Sequence, residues 1–159
     1  GMKIAYVEID TLLAQYNFCI DLNEGMVKKS ENVRLTLNQK ARELDKQKQD
    51  FQTKYQNNAY LSQDRAQQEY NRIAKLEQDL QTLSNKLQSE LMSENEKNSL
   101  QLRDSINAFL KEYNKTKGYS MIISNTGFDN LLYADSIYNI TKEIVEGLNA
   151  RYSSPAAKK

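Results

Sequence analysis

Lys40, Lys46, Lys54, Arg65 and Arg72 are interleaved with Tyr55, Tyr60 and Tyr70 in a stretch that offers little else for chemistry to rest on. Cations alternating with phenol rings can hold another molecule by charge and by ring contact. They cannot make or break bonds without a proton acceptor that works near neutrality. The chain has 0 His and 1 Cys, Cys19, which removes the commonest general base, the usual zinc ligands and any intrachain disulfide. No nucleophile–base pair, phosphate loop or metal-ligand spacing is present, so no catalytic, cofactor-binding or metal residue is assigned and the chain is not read as an enzyme. Cys19, between Phe18 and Ile20, is read as a small buried hydrophobe. With 22 Lys or Arg against 21 Asp or Glu, the net charge of +1 is too balanced to predict nucleic-acid binding.

Plainer readings compete at the same residues. Phe51, Tyr55 and Tyr70 fall where they could simply fill the seam between two helices, and Tyr60, in a turn, is expected to be the exposed ring. A run of charges on a helix is more often a solvated face than a binding site.

The elements that carry these residues follow from periodicity. Apolar or small positions at Met26, Ser30, Val33, Leu37, Ala41, Leu44, Phe51 and Tyr55 recur about every 3.6 residues, the α-helical period. The same rhythm returns from Ala66 through Ile73, Leu76, Leu80, Leu83 and Leu87 to Ile106 and Tyr113. Paired so that the two numbers sum to 120 or 121, Val33 meets Leu87, Leu37 meets Leu83, Leu44 meets Leu76 and Phe51 meets Tyr70. One constant sum predicts an antiparallel hairpin, about 55 Å long, whose turn lies near residue 60. Asn57 and Asn58 are placed to end the first helix and Ser62 to cap the second. Lys48, Glu94 and Asn98 fall on the seam, where polar groups cost packing and are expected to let the hairpin flex.

At the two ends the composition changes. Residues 3–9 alternate as a strand, with Ala5, Val7 and Ile9 on one face, and Asp10 is expected to cap a short helix through Leu12, Leu13 and Tyr16. After a helix stop at Gly118, residues 120–136 read as a hairpin-like passage, with strands at Met121 to Ser124 and Leu131 to Ala134. Asn139 can cap a last helix bearing Ile140, Ile144, Val145, Leu148 and Tyr152. The expected class is α+β, mostly α. A β-containing body comprises residues 3–20 and 99–152, a helical hairpin arm residues 21–98, and a disordered tail residues 153–159. Strands so short leave open edges, and so small a body is hard to stabilise alone. Val7, Ile9, Ile122, Leu131, Leu132 and Tyr133 are therefore assigned to oligomerisation through a shared sheet or barrel.

"KIAYVEIDTLL", a long charged hairpin, then "KGYSMIIS", "LLYAD" and "NITKEIVEGLN" together resemble the OmpH/Skp family of periplasmic chaperones over residues 3–152. The resemblance implies a homotrimer with a shared β-barrel body, whose helical arms enclose a cavity. It also implies ATP-independent holding of unfolded outer-membrane proteins in the periplasm, no cofactor, and weak contact with anionic membrane surface. On that reading Tyr55, Tyr60, Tyr70, Lys40, Lys46, Lys54, Arg65 and Arg72 bind the client. Gly1 ahead of Met2 reads as a cloning remnant, so an export signal is expected to have been removed before it. The chain departs from the strongly basic members of that family. Residues 40–75 carry eight cations to five acids and residues 76–99 five acids to two cations, a low-amplitude polarity. The alternative reading is a structural coiled-coil or adaptor subunit binding a folded envelope partner. A prefoldin-like arm also combines strands with a helical hairpin, but its order of elements fits less well.

Overall fold

The computed structural model describes residues 1–127 and 130–153. Strand β1 (Ile4–Glu8) leads into α1 (Ile9–Gln15) and then α2 (Asn17–Gln56). A turn and α3 (Gln63–Lys117) follow, then β2 (Met121–Asn125), a 3₁₀ turn (Ser136–Tyr138) and α4 (Thr141–Tyr152). The chain is thus α+β and mostly helical. It groups into two compact units, Gly1–Gly25 with the chain from Glu96 onward, and Met26–Asn95.

The first unit is built around β1. The strand pairs in parallel with β2, Ile4 opposite Met121 through Glu8 opposite Asn125, and Tyr6 bridges to Asn139 on its other side. Parallel pairing requires a long crossover, which the intervening helices supply. Ala5, Tyr6 and Val7 are all buried, so both faces of the strand are covered, against the simple alternation expected from the sequence. Leu12, Tyr16, Cys19, Ile140, Ile144, Val145 and Leu148 complete this core, and Leu12, Ile144 and Leu148 are at most 1% exposed. Cys19 is buried as expected, and burial pushes its thiol pKa up.

Three local expectations are corrected. Asp10 does not cap α1: Glu8 occupies the cap position without a side-chain cap bond, and Asp10 lies in the first turn, where a negative charge suits the helix dipole. Glu8 instead accepts a hydrogen bond from Asn139 Nδ2 at 2.7 Å. The second helix begins at Asn17 rather than Asp21, because Tyr16 is extended and buried and breaks the chain between α1 and α2. Asn149 clamps that break, accepting from the Asn17 N–H at 2.8 Å and donating to the Gln15 carbonyl at 3.0 Å.

The third correction is to the hairpin-like passage. Residues 131–134 form no strand, and the described sheet has two strands. These residues pair with neither strand of the sheet, and Leu132 and Tyr133 are 79% and 86% exposed, so neither a ladder nor burial fixes them in extended form. Residues 128–129 of that passage, and the tail beyond Ser153, lie outside the described residues.

Helix ends follow the sequence elsewhere. Gly118 has φ +72° after α3, and the Asn114 side chain brackets Tyr119, accepting from its N–H at 2.7 Å and donating to its carbonyl at 2.9 Å. Asn139 Oδ1 accepts from the Thr141 N–H at 3.0 Å and from the Thr141 hydroxyl at 2.6 Å, although Ile140 occupies the cap position of α4.

At the end of α4, the Tyr152 hydroxyl donates to Asp21 Oδ2 at 2.7 Å. Bonding to that carboxylate, with some burial, pushes the phenol pKa up to about 12. The folded chain keeps a proton that the unfolded chain releases near pH 10, so this contribution is complete below about pH 10 and lost as pH rises toward 12. Tyr152→Phe should therefore show a smaller fall in Tm than wild type between pH 10 and 12, measured by thermal melts across that window.

Candidate functional site

In the second unit α2 and α3 run antiparallel, joined by a turn in which Asn58 has φ +52° and Ser62 Oγ accepts the Arg65 N–H at 3.1 Å. The predicted pairing holds at Phe51 and Tyr70, whose ring centroids lie 6.1 Å apart. Leu44, Leu76, Leu80 and Leu83 likewise meet around one cavity of about 210 Å³, and Leu44, Ala66 and Ile73 are buried. Lys48 donates to Glu77 at 3.0 Å and Lys29 to Glu94 at 2.7 Å, so two of the polar seam positions tie the helices by solvent-exposed ion pairs. Such pairs contribute about 0–1 kcal/mol each. In the other unit, the third seam residue, Asn98, is buried.

The aromatic residues gather at the turn. Phe51 is central, stacked on Tyr55 at 5.9 Å and tilted against Tyr60 at 5.7 Å. This inverts the expected order of exposure. Tyr60 is half-buried by its packing on Phe51, while Tyr55 and Tyr70 are 50% and 57% exposed and the neighbouring Leu61 is 95% exposed. Partial loss of solvent raises the Tyr60 pKa, with Glu69 adding to the effect. Sequence reasoning missed Leu61, an apolar residue at a turn and off the helical stripe.

The five cations separate into two groups. Arg72 makes a two-pronged ion pair with Glu69, at 3.1 and 2.6 Å, which holds the Glu69 carboxyl below the usual carboxylate range. Its charge is thereby largely neutralised. Lys40, Lys46, Lys54 and Arg65 take part in no ion pair among the described residues and remain exposed.

The six residues assigned to oligomerisation lie in the first unit and differ in availability. Val7, assigned to oligomerisation, is 5% exposed and packs its side chain in the protomer's own core, so it offers no open surface within one protomer. Ile9 and Ile122 are half-buried against that core, and Leu131 is also half-buried. Ile9 further lines a groove of about 540 Å³ with Leu13, Leu102, Ile106 and Thr126. Leu132 and Tyr133 are open to solvent, and Ile137 at 75% and Tyr138 at 48% exposure are further exposed apolar residues of the same segment. Among the described residues, no cluster of three or more His, Cys, Asp or Glu could hold a metal ion.

These features define a class: a mostly helical α+β protein with a long antiparallel hairpin, a small parallel sheet, and exposed rings and cations suited to non-covalent contact. The family described as outer membrane protein (OmpH-like) matches residues 3–148, and the chain belongs to that family. A crystal structure of a candidate outer membrane chaperone (OmpH-like) from Caulobacter crescentus CB15 has the same fold, with a TM-score of 0.83 at 14% identity over 95% of this chain and 86% of that one. No curated protein matches the chain.

Proposed function

We propose that this protein is an ATP-independent holding chaperone that keeps unfolded outer-membrane proteins from aggregating in the periplasm. Its OmpH-like membership supports a chaperone role, and such chaperones are periplasmic and in general not enzymes. The observation that carries the reading is the pairing of half-exposed rings at Tyr55 and Tyr70 with cations that form no ion pair among the described residues, at Lys40, Lys46, Lys54 and Arg65. Many weak, non-directional contacts hold a client yet release it without an energy source. No helix among the described residues is long and apolar enough to cross a membrane.

The working unit is a homotrimer whose subunits join through the exposed surface at Leu132 and Tyr133, with the hairpins surrounding the client. Several large apolar side chains exposed within one short segment support an interaction site there. The purified chain should suppress aggregation of a denatured β-barrel membrane protein diluted from urea, with no nucleotide added. Failure to do so would leave the adaptor reading in its place. Leu132→Ser combined with Tyr133→Ser should convert a trimer into a monomer in sedimentation at micromolar concentration; an unchanged sedimentation coefficient would remove these residues from the interface.

A further inference from the structure

We propose that the groove bordered by Tyr55 and Tyr70 is a subsite for one aromatic side chain of an extended, acid-flanked polypeptide segment. This rests on the holding-chaperone reading and adds a chemical preference to it. The groove has a volume of about 230 Å³ and is lined by Phe51, Tyr55, Gln63, Ala66, Gln67 and Tyr70. Ala66 is 3% exposed and occupies a position where the same helical stripe carries Ile73, Leu76 and Leu80 further along. A methyl group in place of a branched chain leaves the space open. The rings around it are already arranged for edge and offset contacts: Phe51 lies at 29° to Tyr55 and 57° to Tyr70. A further ring entering between them gains more than an aliphatic chain of equal area.

The lining carries no formal charge, so the entering side chain is uncharged. Gln63 and Gln67, one helical turn apart, supply the only amides of the lining, and the Gln63 side chain has no partner among the described residues. An amide offers both a donor and an acceptor, which matches the backbone of an extended segment. Around the groove, residues 46–72 hold five cations to three acids, and Lys54 and Arg65 have no ion-pair partner among the described residues. The guest's flanks are therefore acidic. Transmembrane β-barrels provide such segments, because their strands alternate apolar and polar residues and carry aromatic girdles at both interfaces.

The test uses the full chain and two acid-flanked ten-residue peptides that differ only in a central Phe or Leu. Titration followed by nuclear magnetic resonance should show the Phe peptide binding about fivefold more tightly. Ala66→Leu, which fills the groove, and Tyr70→Leu, which removes a wall, should each erase that preference while circular dichroism shows the helices intact. Equal binding of the two peptides, or a preference that survives Ala66→Leu, overturns the subsite. So does a result in which Ala66→Leu weakens co-sedimentation with phosphatidylglycerol vesicles and the peptides bind alike, since the groove would then be a lipid contact. Aggregation suppression measured in parallel separates the two readings. Suppression without peptide preference leaves the holding function and ends the subsite, whereas preference without suppression supports the subsite and ends the holding function.

Discussion

Ile144→Ala should lower the unfolding free energy by about 3–4 kcal/mol, read from urea melts at fixed protomer concentration. Ile144 is 0% exposed in the first turn of α4, in a cluster with Ala5, Val7, Leu12 and Leu148. Removing its three outer carbons forfeits transfer free energy and leaves a cavity, and strand and helix neighbours held by hydrogen bonds can close it only in part. The polar ties around it limit that relaxation. Thr141 Oγ1 accepts the Glu8 N–H at 2.8 Å, and the Ile140 N–H reaches the Tyr6 carbonyl at 3.0 Å. A loss no larger than the roughly 0.5 kcal/mol typical of a surface site would mean that the core is not assembled as described.

Gly147→Leu should be about as damaging, near 3 kcal/mol, and for the opposite reason. A Cβ at Gly147 would collide with Phe109 Cζ and lie 2.9 Å from Cε2 of the same ring. That ring is itself stacked on Tyr113 at 5.8 Å, and Tyr113 continues to Tyr119 at 6.4 Å, so it has little room to retreat. Glycine thus sits in the interior of α4, at a helix cost of about 1 kcal/mol, because the Phe109 ring of α3 occupies the space a side chain would need there. Shortening the opposing side chain should restore the space. Gly147→Leu combined with Phe109→Ala is expected to be more stable than the sum of the two single losses by at least about 1 kcal/mol. Strict additivity would show that the two residues do not meet.

How far the chain could be read in advance depended on the kind of signal. The hairpin was legible because one period and one constant pair sum govern it over many turns, and local errors do not accumulate. Phe51 opposite Tyr70 is the direct example. The last helix was legible for the same reason, through Ile144, Val145 and Leu148. Strand pairing was less so. Residues 131–134 have strand-like composition, but composition alone does not make a strand, and these residues pair with neither β1 nor the outer edge of β2. Burial of Tyr6 was missed because period-2 alternation assumes one wet face, whereas both faces of this parallel strand are covered. At the turn, the sequence indicated which rings would assemble but not which would cover which. Tyr60 folds back on Phe51, a contact set by the left-handed Asn58 rather than by any period.

The body also imposes an order of events on a chain made from its N-terminus. Its first strand is made well before the groups that complete it: Glu8 waits for Thr141, 133 positions later. Closing a loop of that length costs about 2 kcal/mol more than closing one of ten residues. The helices between form from local contacts and need no such wait. Each nascent molecule therefore carries an unfinished, sticky strand while those residues are made, and is exposed for that time to the same hazard of aggregation that its mature form is proposed to prevent in others.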